Sequence, residues 1–261
     1  MSTPDVLMAR AKALKLYGLL AHWEGIAEAP WLAPLLDWEE HERARRGLER
    51  RLSNAHLGRF KPLADFDWHW PTQCDRPAIE ELMGLRFILD AANVVLLGPN
   101  GVGKTMIARN IAHQAVLAGH TVLFTSAGHM LNELAGADGD NALRHRLSVY
   151  ARPRLLVVDE VGYLSYSNRH ADLLFEIVSR RYQEKSTLIT TNRPFAEWGE
   201  VFPNAACVVS LVDRLVHKTP RSFRSRGESY RLKEAKERSE QRRKQRAARK
   251  TKSRPKPHPD A

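Results

Sequence analysis

The stretch VVLLGPNGVGKTMIARNIA, residues 94–112, decides the fold of this chain. It opens with four consecutive apolar residues, as a buried strand does, and it closes with apolar residues at helical spacing. Between these parts, Gly98, Gly103, Lys104 and Thr105 satisfy the spacing GxxxxGK[ST]. The glycines let successive backbone N–H groups point inward at phosphate oxygens. Because the match lies between a strand and a helix, it predicts a phosphate-binding loop (P-loop).

Individual residues of this loop have separate predicted roles. Lys104 is expected to reach the β- and γ-phosphates of a nucleoside triphosphate, and the Thr105 hydroxyl is expected to bind Mg²⁺. The helix after the loop directs the positive end of its dipole at the same anion. The residues predicted to contact the nucleotide are Gly98, Pro99, Asn100, Gly101, Val102, Gly103, Lys104, Thr105 and Met106.

A second apolar run, Leu155–Val158, ends in the acidic pair Asp159 and Glu160. The carboxyl ends of parallel strands open on the ligand crevice. Asp159 is therefore expected to hold Mg²⁺ through water, and Glu160 to orient and polarise an attacking water. The alternative is a pair of acidic residues that simply meets solvent, and the apolar strand and the upstream P-loop argue against it. The pair favours nucleotide hydrolysis over a kinase reaction.

A third apolar run ends in Thr190, Thr191 and Asn192. The Asn192 amide is placed to hydrogen-bond the γ-phosphate or the lytic water, and so to distinguish a triphosphate from a diphosphate. A turn is the alternative explanation for an asparagine at the end of a strand. From Ile79 onward, apolar runs alternate with helical patterns, which predicts an α/β fold with a parallel sheet covered by helices on both faces.

The regions on either side of the α/β pattern are helical and basic. Residues 1–64 are predicted to form a small helical domain, 65–232 the nucleotide-binding domain, and 233–261 a basic tail. The tail holds twelve basic and four acidic residues of a chain whose formal net charge is +11. With almost no apolar residues it is expected to be disordered, and to contact nucleic-acid phosphates. The arginine-rich N-terminal domain is a candidate for binding DNA or a partner. For both this domain and the tail, a merely solvated surface is the alternative.

Several classes of protein are excluded by the composition. No segment approaches the ~18 consecutive apolar residues of a membrane span, and the N-terminus lacks the pattern of a signal peptide. Cys74 and Cys207 are far apart and lack the spacing of metal ligands, which predicts free thiols in a reducing cytosol and a cytoplasmic protein. No structural zinc is predicted.

With its three motifs in this order, the chain resembles the AAA+ ATPases of the initiator and loader clade. Within that clade it is similar to the IstB family, the transposition helper ATPases of bacterial insertion sequences, which are themselves similar to the helicase loader DnaC. The segments that carry the resemblance cover most of residues 10–235 and are LKLYGLLAHW, LRFILDAANVVLLGPNGVGKT, LLVVDEVGYL, LLFEIVSRRYQEKSTLITTNRPFAEWGEVF, DRLVHK and GESYRL. The resemblance implies an AAA+ fold behind a helical N-terminal domain, with a truncated or absent helical lid.

The resemblance also implies a DNA-stimulated ATPase that uses ATP and Mg²⁺ and oligomerises on double-stranded DNA. Arg214 falls where this clade supplies an arginine in trans to the γ-phosphate of a neighbouring subunit, and Arg231 matches a second sensor arginine. A surface charge or a local pair with Asp213 is the alternative for Arg214. The helices at about 127–150 are implied to line the DNA path, with Arg144, Arg146 and Arg152 as candidate contacts.

The implied partner is the cognate transposase, whose target selection and activation the ATPase would assist. A DnaC-like replicative helicase loader is the alternative function on the same fold. A nucleotide-binding scaffold or P-loop kinase is a third hypothesis, against which Glu160 argues. Two departures from the family are visible: Asn100 stands where a second proline is more usual, and TPRSFRSRGESYR is more basic than the strand expected there.

Overall fold

The computed structural model of the chain describes residues 3–70, 74–163, 166–202, 205–217 and 222–224. The chain divides into two compact units, Met1–Asn54 and Ala55–Ala261. Within the described residues, no helix is both long enough and apolar enough to cross a membrane. Arg231, the basic tail and the region of a helical lid lie outside the described residues.

The first unit is helical, as the sequence predicts. Its helices are α1 (Pro4–Ala13), α2 (Tyr17–Ala21), α3 (Trp23–Ile26) and α4 (Leu32–Asn54). A small core joins α1 to the start of α4 through Leu7, Ala11, Leu32 and Leu36. Pro34 lies in the first turn of α4, where a missing backbone N–H breaks no helical hydrogen bond.

Three arginines of α4 pair with glutamates of the same helix. Arg43 contacts Glu39 at 2.6 Å, and Arg46 contacts Glu42 at 2.6 Å, each across one helical turn. Arg45 pairs with Glu42 and with a further glutamate one turn on. Pairs of this kind on an exposed helix are screened by solvent, and each stabilises the helix only slightly. Arg43, Arg45 and Arg46 therefore already have acidic partners.

The second unit contains a parallel sheet. Its helices are α5 (Arg76–Met83), α6 (Arg86–Leu89), α7 (Lys104–Leu117), α8 (Ala127–Ala135), α9 (Asp140–Ala151), α10 (Asn168–Arg181), α11 (Trp198–Val201) and α12 (Ala205–Val216). Its strands are β1 (Val94–Leu97), β2 (Val122–Ser126), β3 (Leu155–Val161), β4 (Ser186–Thr191) and β5 (Ser222–Arg224). The strand order is β2-β3-β4-β1-β5, and every neighbouring pair is parallel. The predicted α/β fold is confirmed, and β5 pairs with β1 despite its basic sequence.

The strand order determines which of the sequence motifs are neighbours in the sheet. β4 separates β1, which leads into the P-loop, from β3, which carries the acidic pair. Helix α7 packs against β1 to β4, and α8 to α12 form an apolar cluster with alternate residues of the strands, such as Leu156 and Val158. Helices therefore flank the sheet, and the carboxyl ends of β1, β3 and β4 meet at one edge.

The first unit ends earlier than the sequence-based boundary at residue 64. Phe124 N donates to Ala55 O at 2.9 Å, and Leu63 N donates to Asn110 Oδ1 at 2.9 Å. These hydrogen bonds attach residues 55–64 to the second unit, at strand β2 and helix α7.

A buried arginine, Arg181, ties three elements of the second unit together. Its side chain is 1% exposed and has no acidic partner among the described residues. Its guanidinium donates at 2.5–3.5 Å to Thr187 Oγ1 and to the carbonyls of Tyr150, Ala151, Pro153, Arg154 and Ser186. Burial lowers the pKa of Arg181 to about 9, so the side chain remains charged at neutral pH.

Replacing Arg181 with methionine is expected to lower the free energy of unfolding by about 3 kcal/mol or more, because several buried carbonyls lose a charged donor. Arg180→Met is the matched control, since that side chain is 38% exposed and, among the described residues, pairs with Glu176 alone. Urea unfolding of both variants measures the difference. A loss below 1 kcal/mol for Arg181→Met would contradict a structural role for this arginine.

Candidate nucleotide-binding site

The P-loop is held in an open turn between β1 and α7. Gly103 adopts φ +90°, and a Cβ atom there would lie 2.4 Å from Phe66 Cε2. Only glycine satisfies both the left-handed backbone and this close approach. Lys104 Nζ is buried beneath the loop and donates to Gly98 O at 2.7 Å and to Pro99 O at 2.8 Å. The predicted lysine therefore lies inside the turn that its own loop makes.

The acidic pair lies beside the P-loop. Thr105 Oγ1 donates to Asp159 Oδ1 at 3.1 Å, and Thr190 Oγ1 donates to the same oxygen. Asp159 is buried. Glu160 is exposed, and its carboxylate accepts no hydrogen bond from the part of the chain that the structure describes. One carboxylate is thus fixed against the loop while the other is free to meet a ligand.

A β-bulge creates this difference between the two carboxylates. Val158 pairs with Ile189 and Val161 pairs with Thr191, so two residues of β3 face the single residue Thr190 of β4. Within the bulge Glu160 has φ +62°, a left-handed conformation that is uncommon for a residue with a side chain. Because of the bulge, the Glu160 side chain does not follow the alternation of side-chain directions along β3.

Asn192 follows the end of β4, between the P-loop and the acidic pair. Its Oδ1 is buried and has no hydrogen-bond partner in the described residues. A buried polar atom without a partner is costly, and because an amide oxygen is an acceptor, a hydrogen-bond donor such as water would relieve that cost. The role of Asn192 in sensing the γ-phosphate stays a prediction.

Two openings converge on these residues. A cleft of about 840 Å³ lies over the P-loop and is bordered by Phe66, Trp70 and Tyr163. A wider groove, about 1480 Å³, runs beside α8 and α9. Thr105 and Glu160 line both, so a ligand in the cleft would face the groove across these two side chains.

The donor set fits Mg²⁺ with a nucleotide. Mg²⁺ takes oxygen ligands, and it is usually held by one or two protein groups together with phosphates and water. The Thr105 hydroxyl and the Asp159 carboxylate supply two adjacent oxygens. No cluster of three or more His, Cys, Asp or Glu residues capable of holding a metal is found among the described residues.

Arg214 lies near the amino ends of the strands, at the opposite end of the sheet from the P-loop. Asn93, which precedes β1, donates through Nδ2 to Arg214 O at 3.2 Å, so Arg214 is at the amino ends of the strands. Its guanidinium donates to Ser179 Oγ and lies 4.4 Å from the ring centroid of Phe175. Arg214 and Asp213 form no ion pair with each other, which removes the alternative of a local pair between these two described residues.

The three arginines implied to contact DNA differ in their surroundings. Arg146 forms an ion pair with Glu133, which also accepts a hydrogen bond from Tyr150. Burial, followed by this hydrogen bond, raises the pKa of Tyr150. Arg144 and Arg152 are exposed and pair with no acidic residue within the described ranges. Their charges, on α9 and its C-terminal cap, are therefore more available to phosphate than the charge of Arg146.

Sequence reasoning missed three contacts. These are Phe66 against Gly103, the hydrogen bond from Tyr163 Oη to Asn100 Oδ1, and the double contact of Thr190 with the acidic pair. Each joins residues distant along the chain. The polar end of β4 was the one available signal, and it indicated Asn192 rather than Thr190.

The fold and the site are those of a P-loop nucleotide-binding protein. Residues 7–238 match the family described as IstB-like ATP binding protein, and the chain belongs to this family. It is 38% identical to an insertion sequence IS21 protein of Pseudomonas aeruginosa, over 88% of this chain and 89% of that protein. It is 34% identical to an insertion sequence IS5376 protein of Geobacillus stearothermophilus, over 82% and 85% of the two chains.

Among solved structures, the crystal structure of DnaI superposes with a TM-score of 0.53 at 20% sequence identity. It covers 65% of this chain and 92% of the DnaI chain. At this identity, the likeness is one of fold.

Proposed function

We propose that this chain is a DNA-binding AAA+ ATPase that oligomerises on duplex DNA and assists an insertion-sequence transposase in target selection and activation. The observation that carries the proposal is the meeting of the P-loop with the acidic pair, where Thr105 Oγ1 lies 3.1 Å from Asp159 Oδ1. Membership of a family of ATP-binding proteins supports ATP as the nucleotide. The insertion-sequence relatives support transposition as the setting.

The chain's residues divide the work of hydrolysis. The backbone N–H groups of the P-loop and the Lys104 ammonium bind the phosphates. Thr105 and Asp159 would hold Mg²⁺, and the ion would supply positive charge beside the phosphate oxygens. Glu160, the exposed carboxylate, orients the attacking water and polarises it. Asn192 donates to the γ-phosphate or to that water.

Arg214 acts on the nucleotide of a neighbouring copy. In one chain it lies at the amino ends of the strands, while the P-loop lies at the carboxyl ends, so it is directed away from its own site. Phe175 and Ser179 support its guanidinium on α10. ATP would then favour assembly, and a solitary chain would hydrolyse ATP slowly. Arg231, outside the described residues, is proposed as a second sensor.

DNA binding is assigned to α8 and α9, with Arg144 and Arg152 as the main phosphate contacts. Arg146 can contribute only by exchanging Glu133 for phosphate. The N-terminal helical unit is proposed to contact DNA or a protein partner, and the protein is proposed to act in the cytoplasm, where these partners occur.

The proposal is tested with purified protein, duplex DNA and ATP. We expect slow hydrolysis by the protein alone, faster hydrolysis with duplex DNA, and oligomers on the duplex in electron micrographs with a non-hydrolysable ATP analogue. A protein that ignores ATP, or stays monomeric with both ligands, would overturn the proposal. Binding to the purified transposase, but not to the replicative helicase, separates the transposition role from that of a helicase loader.

A further inference from the structure

Thr190 is a buried residue of β4 that contacts both members of the acidic pair. It is fully buried. Its hydroxyl donates to Asp159 Oδ1 and accepts from Glu160 N at 2.9 Å. A single hydroxyl has one proton to donate and lone pairs to accept, so these two bonds use it in both directions. No other described residue contacts both Asp159 and the Glu160 backbone in this way.

The two bonds act on two different features of the site. The bond to Asp159 is the second that Oδ1 accepts, beside the one from Thr105, so it fixes the carboxylate rotamer against the P-loop. The bond from Glu160 N holds the backbone at the residue with φ +62°. A left-handed residue with a side chain persists where its surroundings determine it. The hydrogen bond to Thr190 is one of the contacts that hold Glu160 in this conformation.

We propose that Thr190 is a positioning residue for nucleotide hydrolysis, which orients Asp159 toward the metal position and keeps Glu160 turned out of the sheet. The inference rests on the proposed ATPase function. It also gives β4 a second role, because Thr190 lies two residues before Asn192, which follows the end of the strand. A shift of β4 on γ-phosphate binding would move the sensor and the acidic pair together.

Thr190→Val keeps the shape of the side chain and removes the hydroxyl. We expect kcat for DNA-stimulated ATP hydrolysis to fall about 10- to 100-fold, the usual range for losing a residue that orients a metal ligand. The affinity for ATP without Mg²⁺ is expected to stay within about twofold, because the P-loop is untouched, while the gain in affinity that Mg²⁺ brings should be lost. Thr190→Ser, which restores the hydroxyl, should recover most of the rate.

The control is Thr187→Val on the same strand. Thr187 is equally buried, and its hydroxyl accepts from Arg181 Nε at 3.0 Å instead of contacting the acidic pair. This variant should lose stability in urea and keep kcat. If Thr190→Val does not fold, Thr190→Ala, which adds no atom to the core, takes its place against Thr190→Ser.

Two results would overturn the inference: wild-type kcat in Thr190→Val, or equal loss in the valine and serine variants, which would indicate packing rather than hydrogen bonding. Failure of the proposed function is a separate outcome, since the wild-type protein itself would then hydrolyse no ATP.

Discussion

Replacing Arg214 with alanine is expected to lower DNA-stimulated ATP hydrolysis by roughly 10³–10⁵-fold, the range for removing an arginine that stabilises transferring phosphate. ATP binding by the isolated chain should be unchanged, because Arg214 lies at the far edge of the sheet from its own P-loop. Measurements of kcat on DNA and of nucleotide affinity separate these effects. Arg180→Ala is the control, an exposed arginine of α10 paired with Glu176.

A mixing experiment tests whether the arginine acts between subunits. Arg214→Ala chains retain Glu160, and Glu160→Gln chains retain Arg214. If the arginine acts in trans, mixed assemblies contain interfaces with both groups, and the mixture should hydrolyse ATP faster than either variant alone. If the mixture assembles on DNA but is as inactive as either variant alone, Arg214 does not act in trans. Its role would then be to pack against Phe175.

Replacing Glu160 with glutamine is expected to lower kcat by roughly 10²–10⁴-fold, because an amide cannot take up a proton from the attacking water. The carboxylate is exposed at the junction of the cleft and the groove, and it holds no other described group in place. ATP should therefore still bind, and the variant should remain assembled on DNA.

Single-turnover hydrolysis and sedimentation on duplex DNA check both parts of this prediction. Glu176→Gln is the control, since it removes a surface carboxylate whose one ion pair within the described part of the chain is with Arg180. If Glu160→Gln hydrolysed ATP at the wild-type rate, the general base would have to be a group other than Glu160.

The sequence was sufficient for the parts of the site that are local along the chain. The P-loop and the acidic pair follow apolar strands directly, so the periodicity that predicts the strands also places these residues at one edge of a parallel sheet. The fold is confirmed for the same reason. The order of the strands, however, is not contained in any one motif.

The contacts that complete the site join residues far apart in sequence. Thr190 meets Glu160 across thirty positions, and only because β4 pairs with a bulged β3. Nothing in the letters Asp-Glu-Val indicates the bulge. Arg181 resembles its neighbour Arg180 in sequence, yet the turn of α10 buries one and exposes the other. Such differences arise from tertiary packing and escape pattern analysis.

The paired arginines of α4 bear on how ionic strength would affect DNA binding. Phosphate contact by a free cation releases a condensed counterion from DNA, and this release gives salt its strong effect. Arg43, Arg45 and Arg46 are already balanced by carboxylates, so engaging phosphate would leave those carboxylates to recruit cations from the buffer. Helix α4 carries five arginines and five acidic residues, so it contributes nothing to the formal charge of +11 and can displace few ions from a duplex.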